Sequence, residues 1–401
     1  INLPENKRLF YGHLNDLIEN AFNTEAMGPW IAHLNERTGN NYDQRFLNYI
    51  ERRANHVETD IRTKVPSNFQ IVSNRGLDFE TDSPVITLEG TGGFKVRSVR
   101  NETTGQPLDL RWKGLNEWEA EIPLATGDNV INLQAFDFRG NPIGSIFSPG
   151  TDRITVTNSG TVEAASSRNL IISEIHYHPG GETEDGEFIE LLNTGHSPID
   201  LAGIRFTRGV AWEQPTEPPS IIQPGARVLL VNNPATFESV FGSYGDSNLA
   251  NGGEMLRLED RVGNLIQELR YNDRLPWPVE ADGLGHSLVF RSGDGTSPYH
   301  WRRSAEIGGS PGTEDSRSDR RLEERPLRVD DRGRLQFRYP TMADQIEWTL
   351  QGSRDLEAWE VVEKQLHLES RIEDDESGDT ILRWTPDPDL FYYRIQYRKS
   401  P

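Results

Sequence analysis

The sequence predicts a mainly β protein, with tandem immunoglobulin-like β-sandwiches preceded by a short α-helical segment. Three observations lead there. Helical periodicity is confined to residues 1–65. From Pro66 onward, short alternating runs are cut by Gly, Pro, Asn and Asp turns. The 401 residues also exceed what one hydrophobic core normally holds, which calls for about two to four domains.

In chain order, residues 8–21 carry Leu9, Tyr11, Leu14, Leu17, Ile18 and Ala21 at mostly three- and four-residue spacing. Residues 42–64 carry Phe46, Leu47, Ile50, Val57 and Ile61 in the same way. Gly28-Pro29 and Thr38-Gly39-Asn40-Asn41 divide the segment into about three helices. So small a piece has little core of its own, so it is expected to pack on the first sandwich or on an upstream partner. Strands are expected at 69–72, 85–88, 94–99, 118–122, 129–138 and 153–157, with Glu89-Gly90-Thr91-Gly92-Gly93-Phe94 as a hairpin turn. Residues 157–169, rich in Ser, Thr and Ala, read as a linker. A second, longer all-β unit spans 170–315, a charged hinge 316–333, and a third β module the remainder. The expected domains are therefore 1–66, 67–158, 168–316 and 334–401.

Composition narrows function. The net charge of −21 and a pI near 4.9 oppose binding to phosphate backbones, so nucleic acid is not an expected partner. The absence of cysteine removes disulfides, thiolate metal sites and thiol nucleophiles. Mean hydropathy is −0.66 and the longest apolar runs, such as Val228–Val231, are strand-length, so no membrane-spanning segment is expected. The chain opens on Ile1 with no export-signal pattern, which reads as a start inside a longer or processed protein.

Several ordered motifs lie between 170 and 315. They are Ile171-Ile172-Ser173-Glu174-Ile175-His176-Tyr177-His178-Pro179, Gly186-Glu187-Phe188-Ile189-Glu190-Leu191-Leu192-Asn193, Ile199-Asp200-Leu201-Ala202-Gly203 and Ile222-Gln223-Pro224-Gly225. They continue with Leu249-Ala250-Asn251-Gly252-Gly253-Glu254, Pro276-Trp277-Pro278, Ala281-Asp282-Gly283-Leu284-Gly285-His286-Ser287-Leu288 and Gly309-Ser310-Pro311-Gly312. In order and spacing this stretch resembles a bacterial lamin-tail domain. The resemblance implies an immunoglobulin-like sandwich used for binding or packing in secreted bacterial proteins, without a known catalytic site. Arg8-Leu9-Phe10-Tyr11, Pro29-Trp30-Ile31 and Tyr49-Ile50-Glu51-Arg52-Arg53 make residues 1–66 resemble the last helices of a spore-coat-protein-H-type (CotH) kinase, whose nucleotide-binding residues would lie upstream. Ser353-Arg354-Asp355-Leu356-Glu357-Ala358-Trp359 and Phe391-Tyr392-Tyr393-Arg394-Ile395 make the last module resemble small terminal β domains of secreted bacterial proteins. Independently of any resemblance, Gln223-Pro224-Gly225 suits a type II turn and Asn251-Gly252-Gly253 a positive-φ turn. Pro276-Trp277-Pro278 is expected to lay Trp277 on the core rather than pair as a central strand.

Glu174, His176 and His178 alternate along one expected strand, with Asp185 and Glu187 after an acidic loop. Imidazole with carboxylate suits zinc, and carboxylates with loop carbonyls suit calcium; the alternative is a set of capping and solvated side chains. The capping and solvated reading is the first expectation and no cofactor is required; on the other reading, the metal candidates are Glu174, Asp185 and Glu187, with calcium as the ion. Asp78, Glu80 and Asp82 also alternate and read as either a calcium set or solvated strand-edge carboxylates. No Gly-x-Ser-x-Gly elbow, phosphate loop or His-Glu-x-x-His helix occurs. Trp118, Trp277, Trp348 and Trp384 are expected in cores, and Trp212, in a Pro-rich loop, is the best exposed platform. The function expected is a non-catalytic arm of a secreted or cell-surface bacterial protein, serving adhesion, assembly or display. The alternatives are the accessory region of a CotH-type kinase and a carbohydrate-binding module. The expected partners are a protein, a cell-surface polysaccharide or further copies of the chain.

Overall fold

The computed structural model describes residues 3–39, 43–65, 69–144, 150–181, 184–245, 247–291, 293–316, 327–341, 346–374 and 379–399. Most of the expected charged hinge, part of the acidic loop after Pro179 and most of the Asp374-Asp375-Glu376 run lie outside these residues. The fold is mainly β, as expected, with three helices at the start. Chain contacts divide it into two units, residues 1–164 and 165–401.

In the first unit, α1 (Pro4–Asn20), α2 (Thr24–Thr38) and α3 (Asp43–Lys64) precede the strands. Gly28-Pro29 does not end a helix, because Pro29 lies inside α2. The break falls at Asn23, which serves both sides of it. Its Nδ2 donates to the carbonyls of Ile18 and Glu19, while its Oδ1 accepts from the amide of Ala26. One asparagine thus satisfies orphan carbonyls of one helix and an orphan amide of the next. Gly39, at φ +68°, closes α2 in the left-handed conformation.

The face that α1 buries also differs from expectation. Arg8, Gly12 and Asn15 are buried, whereas Leu17 is 51% exposed and Phe46 on α3 is 49% exposed. Arg8 explains the inversion. Its guanidinium donates to the carbonyls of Gly92, Gly93, Val96 and Leu115 and lies 3.2 Å from the centroid of the Trp112 ring. Four carbonyl acceptors and an aromatic face replace the lost hydration, although burial still pulls the group down to about 9. Gly12 lets α1 press on Phe138, since a Cβ there would sit 2.1 Å from that ring. On α3, Ile50, Ala54 and Ile61 are buried, and Ile61 and Val65 join Phe94 in one cluster.

The first sandwich pairs a four-stranded sheet, in the order 70–71, 85–91, 117–123, 111–112, with a five-stranded one, in the order 79–81, 151–158, 127–136, 98–101, 106–107. Leu88, Trp118, Ile131, Leu133 and Val156 fill its core. Gly90 is a strand residue rather than the expected hairpin turn. It pairs with Trp118, whose ring would lie 2.0 Å from any Cβ at that position. The strand expected at 94–99 is confined to Ser98–Asn101, with Val96 in the sandwich core and Phe94 in the cluster with Ile61 and Val65.

In the second unit, a six-stranded sheet in the order 242–243, 227–231, 188–193, 170–176, 288–290, 301–303 packs on a three-stranded sheet in the order 205–208, 255–259, 265–270. Ile172, Ile175, Ile189, Leu191, Leu230, Leu256, Leu258 and Trp301 lie between them. The turn expectations hold. The Ala226 amide bonds the Gln223 carbonyl across Pro224 and Gly225, with Gly225 at φ +74°. Gly253, at φ +94°, leaves no room for a Cβ against the Tyr271 carbonyl, 2.4 Å away. Trp277 lies in the core cluster outside any strand. Strands 328–329, 335–340, 379–384 and 368–374 form a further sheet, and 360–361, 346–353 and 392–399 another, around Phe337, Tyr339, Leu350 and Trp384.

Candidate functional site

The strand Leu170–His176 carries the chemistry the sequence singled out. Its pairing with Phe188–Asn193 slips between Ile172 and Glu174, leaving Ser173 as a bulge. Beyond the bulge Ile175 stays in the core, while Glu174 and His176 face the opposite side with Phe188 and Glu190. His178 leaves this row, because the strand ends at His176. Its Nδ1 lies 2.8 Å from Asp282 Oδ1.

Glu174 is buried, yet both its oxygens are engaged. Oε1 accepts from the Ser310 amide at 2.9 Å and from the Ser287 hydroxyl, and Oε2 accepts from the Ser310 hydroxyl at 2.6 Å. Burial pushes the carboxyl above its usual range against the pull of these bonds. Glu190, one strand over, accepts from the Gly312 amide at 2.9 Å and the Ser173 hydroxyl at 2.7 Å, and Arg227 Nε lies 3.1 Å away. Desolvation carries Glu190 up to about 7. Two carboxylates on the outer face therefore hold down the segment Gly309-Ser310-Pro311-Gly312 as a strap. Gly309 lies so close that a Cβ would fall 2.3 Å from Glu174 Oε1. Beyond the strap Asp315 is paired with buried Arg302 and accepts from the Ala305 amide.

The three metal candidates are not brought together. Glu174 belongs to the strap. Asp185 is exposed and accepts from Asn233 Nδ2 at 3.0 Å. Glu187 is 0% exposed, accepts from the Leu249 amide at 3.0 Å, and is raised to about 7 by desolvation, with Glu184 and Glu254 adding repulsion. Among the described residues, no group of three His, Asp or Glu side chains converges to hold a metal. Asp78 accepts from the Thr155 amide at 2.7 Å, which ties it to the edge of the first sandwich. His176 packs on the Phe188 ring and contacts the Gly186 carbonyl through Nδ1; burial lowers it to about 4. The partnerships of Glu174 with Ser287 and Ser310, and of Glu190 with Ser173 and Gly312, were missed from the sequence. A lone Glu inside the apolar run 188–192, together with the Gly-Ser-Pro-Gly motif, was the available signal.

Residues 163–273 match the model of the Lamin Tail Domain family. The strand with Glu174, the strand with Glu190 and the acidic loop fall inside the match, whereas Ser287, the strap and strands 288–290 and 301–303 of the same sheet lie beyond it. The match does not extend to residues 1–66. No curated protein matches the sequence. Among solved structures, the chain is similar to SGBP-B of the mixed-linkage glucan utilization locus of Bacteroides ovatus, in complex with a mixed-linkage heptasaccharide. Identity is 16%, 48% of this chain and 40% of that chain are covered, and the TM-score is 0.15. It is also similar to a DUF4876 family protein from Bacteroides thetaiotaomicron, at 11% identity, with 60% and 93% covered and a TM-score of 0.23. The chain thus spans less than half the length of the first of these, and likenesses this slight bear on neither fold nor ligand.

Buried arginines join the sandwich that holds the lamin-tail match to the C-terminal strands. Arg371 donates to the carbonyls of Pro276, Pro298 and Trp301 and to Glu373, and Glu373 also pairs with Arg303 at 2.9 Å. Arg291 lies over the Tyr339 ring and Tyr299 packs on Trp348 across the same junction. Trp212 is not a free platform. It is half-buried against the lamin-tail core, between Phe206 and Phe241.

Proposed function

We propose that this chain is a non-catalytic β-sandwich arm of a secreted or cell-surface bacterial protein, working in adhesion or display. The observation that carries this reading is the use made of the buried charged groups. Arg371 locks the C-terminal strands to the lamin-tail domain, Arg8 locks the helices to the first sandwich, and Glu174 and Glu190 lock the strap. Groups committed in this way stiffen a support instead of meeting a substrate. The lamin-tail match supports the same reading. Among the described residues no helix is long and apolar enough to cross a membrane.

A second reading is favoured by the apolar residues that the helices turn outward, including Phe10, Leu17, Trp30 and Leu34. In it the helices carry another domain, of which a CotH-type kinase is the version the sequence motifs suggest. A retention assay on insoluble polysaccharides and on a column of the same chain, run beside assays for phosphate and reducing-sugar release, tests the arm. Retention without turnover is expected. Magnesium-dependent ATP turnover or sugar release that survives repurification overturns it.

A further inference from the structure

The first unit contains a cleft that none of these locking contacts fills. It has a volume of about 550 Å³, lies between α1 and the first sandwich, and is bordered by Asn15, Asn20, Phe94, Phe138 and Asn141. That volume falls within the range of about 300–1,000 Å³ usual for small-molecule sites.

The charges around the cleft identify what it would take. The cations on its border are each paired with a carboxylate: Arg139 with Asp16 at 2.8 Å, Lys95 with Glu19, and Arg62 with Glu58. Asp137 is spent on its own turn, accepting from the amides of Arg139 and Asn141. The three ion pairs and the amide-bound Asp137 leave the cleft no excess of cations with which to select a phosphate. Among the described residues there is no group of three carboxylate or imidazole side chains to hold a metal cation. It offers amides beside aromatic rings. Asn15 is 4% exposed and its Oδ1 is buried without a hydrogen-bond partner. A buried acceptor left unpaired destabilises the fold, and a ligand hydroxyl would relieve that cost. Phe138 is half-buried at the border, held edge-on by His13 with centroids 4.8 Å apart.

We infer that this cleft binds a short neutral oligosaccharide, whose hydroxyls donate to Asn15 and whose apolar ring faces lie against Phe138. Sugars combine a hydroxyl edge with an apolar face, which matches amides set beside aromatic rings without an excess of cations. The inference deepens the adhesion reading by naming a ligand class and a place.

The test titrates the full chain with cellotetraose, xylotetraose, laminaritetraose and mannotetraose by calorimetry, with inositol hexakisphosphate as the charged control. At least one neutral probe should bind and the control should not. Asn15→Leu, nearly isosteric and without the amide, should lower affinity at least tenfold while the melting temperature holds or rises. Phe138→Leu should also weaken binding, and Asn15→Leu remains informative if Phe138→Leu unfolds. Failure of all four probes at millimolar concentration overturns the inference. So does binding that is unchanged in both variants, an outcome that places the sugar elsewhere and leaves the arm reading standing.

Discussion

Ser310 meets Glu174 twice, its amide on one carboxylate oxygen at 2.9 Å and its hydroxyl on the other at 2.6 Å, across 136 residues of chain. A backbone amide and two hydroxyls donate to this carboxylate, and burial still holds it above its usual range. Removing it leaves three donors without partners. Glu174→Ala should therefore destabilise the chain by about 2–4 kcal/mol, and Glu174→Gln by less, because the amide retains an acceptor oxygen. Urea unfolding of each variant measures this, and protease cleavage near Gly309 should rise in the first.

The pH dependence has a sign that can be worked out. Glu187 and Glu190 rise from 4.5 to about 7 on folding, so between these values the native state binds more protons than the unfolded one. Their contribution is complete below pH 4.5 and is lost as pH climbs to 7, at up to about 1.4 kcal/mol per unit and group. His176, lowered from 6.5 to about 4, works the opposite way, and its share is lost as pH falls through that window. Glu187→Gln should flatten the falling slope of unfolding free energy between pH 5 and 7 by about one proton. A slope identical to that of the unmodified chain would show that Glu187 is ionised throughout.

Gly12→Ala places a methyl group 2.1 Å from the Phe138 ring, so α1 must move away. Overpacking of this kind costs about 1–3 kcal/mol. Protease sensitivity within residues 1–65 should increase. Phe138→Leu in the same chain should restore part of the loss, through coupling of neighbouring sites.

Arg371→Met leaves the carbonyls of Pro276 and Trp301 and the carboxylate of Glu373 buried without this partner. About 3–5 kcal/mol should be lost. Calorimetry should then resolve the C-terminal strands as a separate transition. Glu373 keeps Arg303 at 2.9 Å, so replacing Glu373 by Met as well should cost further stability by leaving Arg303 without its carboxylate.

Period-two alternation and turn residues were enough to read the β class, the Gln223–Ala226 turn and the placement of Trp277, because each is decided by neighbours in the chain. What depended on distant partners could not be read there. The apolar spacing of α1 pointed Leu14 and Leu17 inward together, but the burying face runs through Arg8, Gly12 and Asn15, because four carbonyls and the Trp112 ring lie where Arg8 arrives. Glu174, Asp185 and Glu187 looked like one acidic set. The bulge at Ser173 and the returning strap separate them, giving Glu174 to Ser310, Asp185 to Asn233 and Glu187 to the Leu249 amide. Local pattern sets which face of a strand is apolar, whereas the fate of a polar side chain depends on which donors arrive from far along the chain, and only packing brings them there.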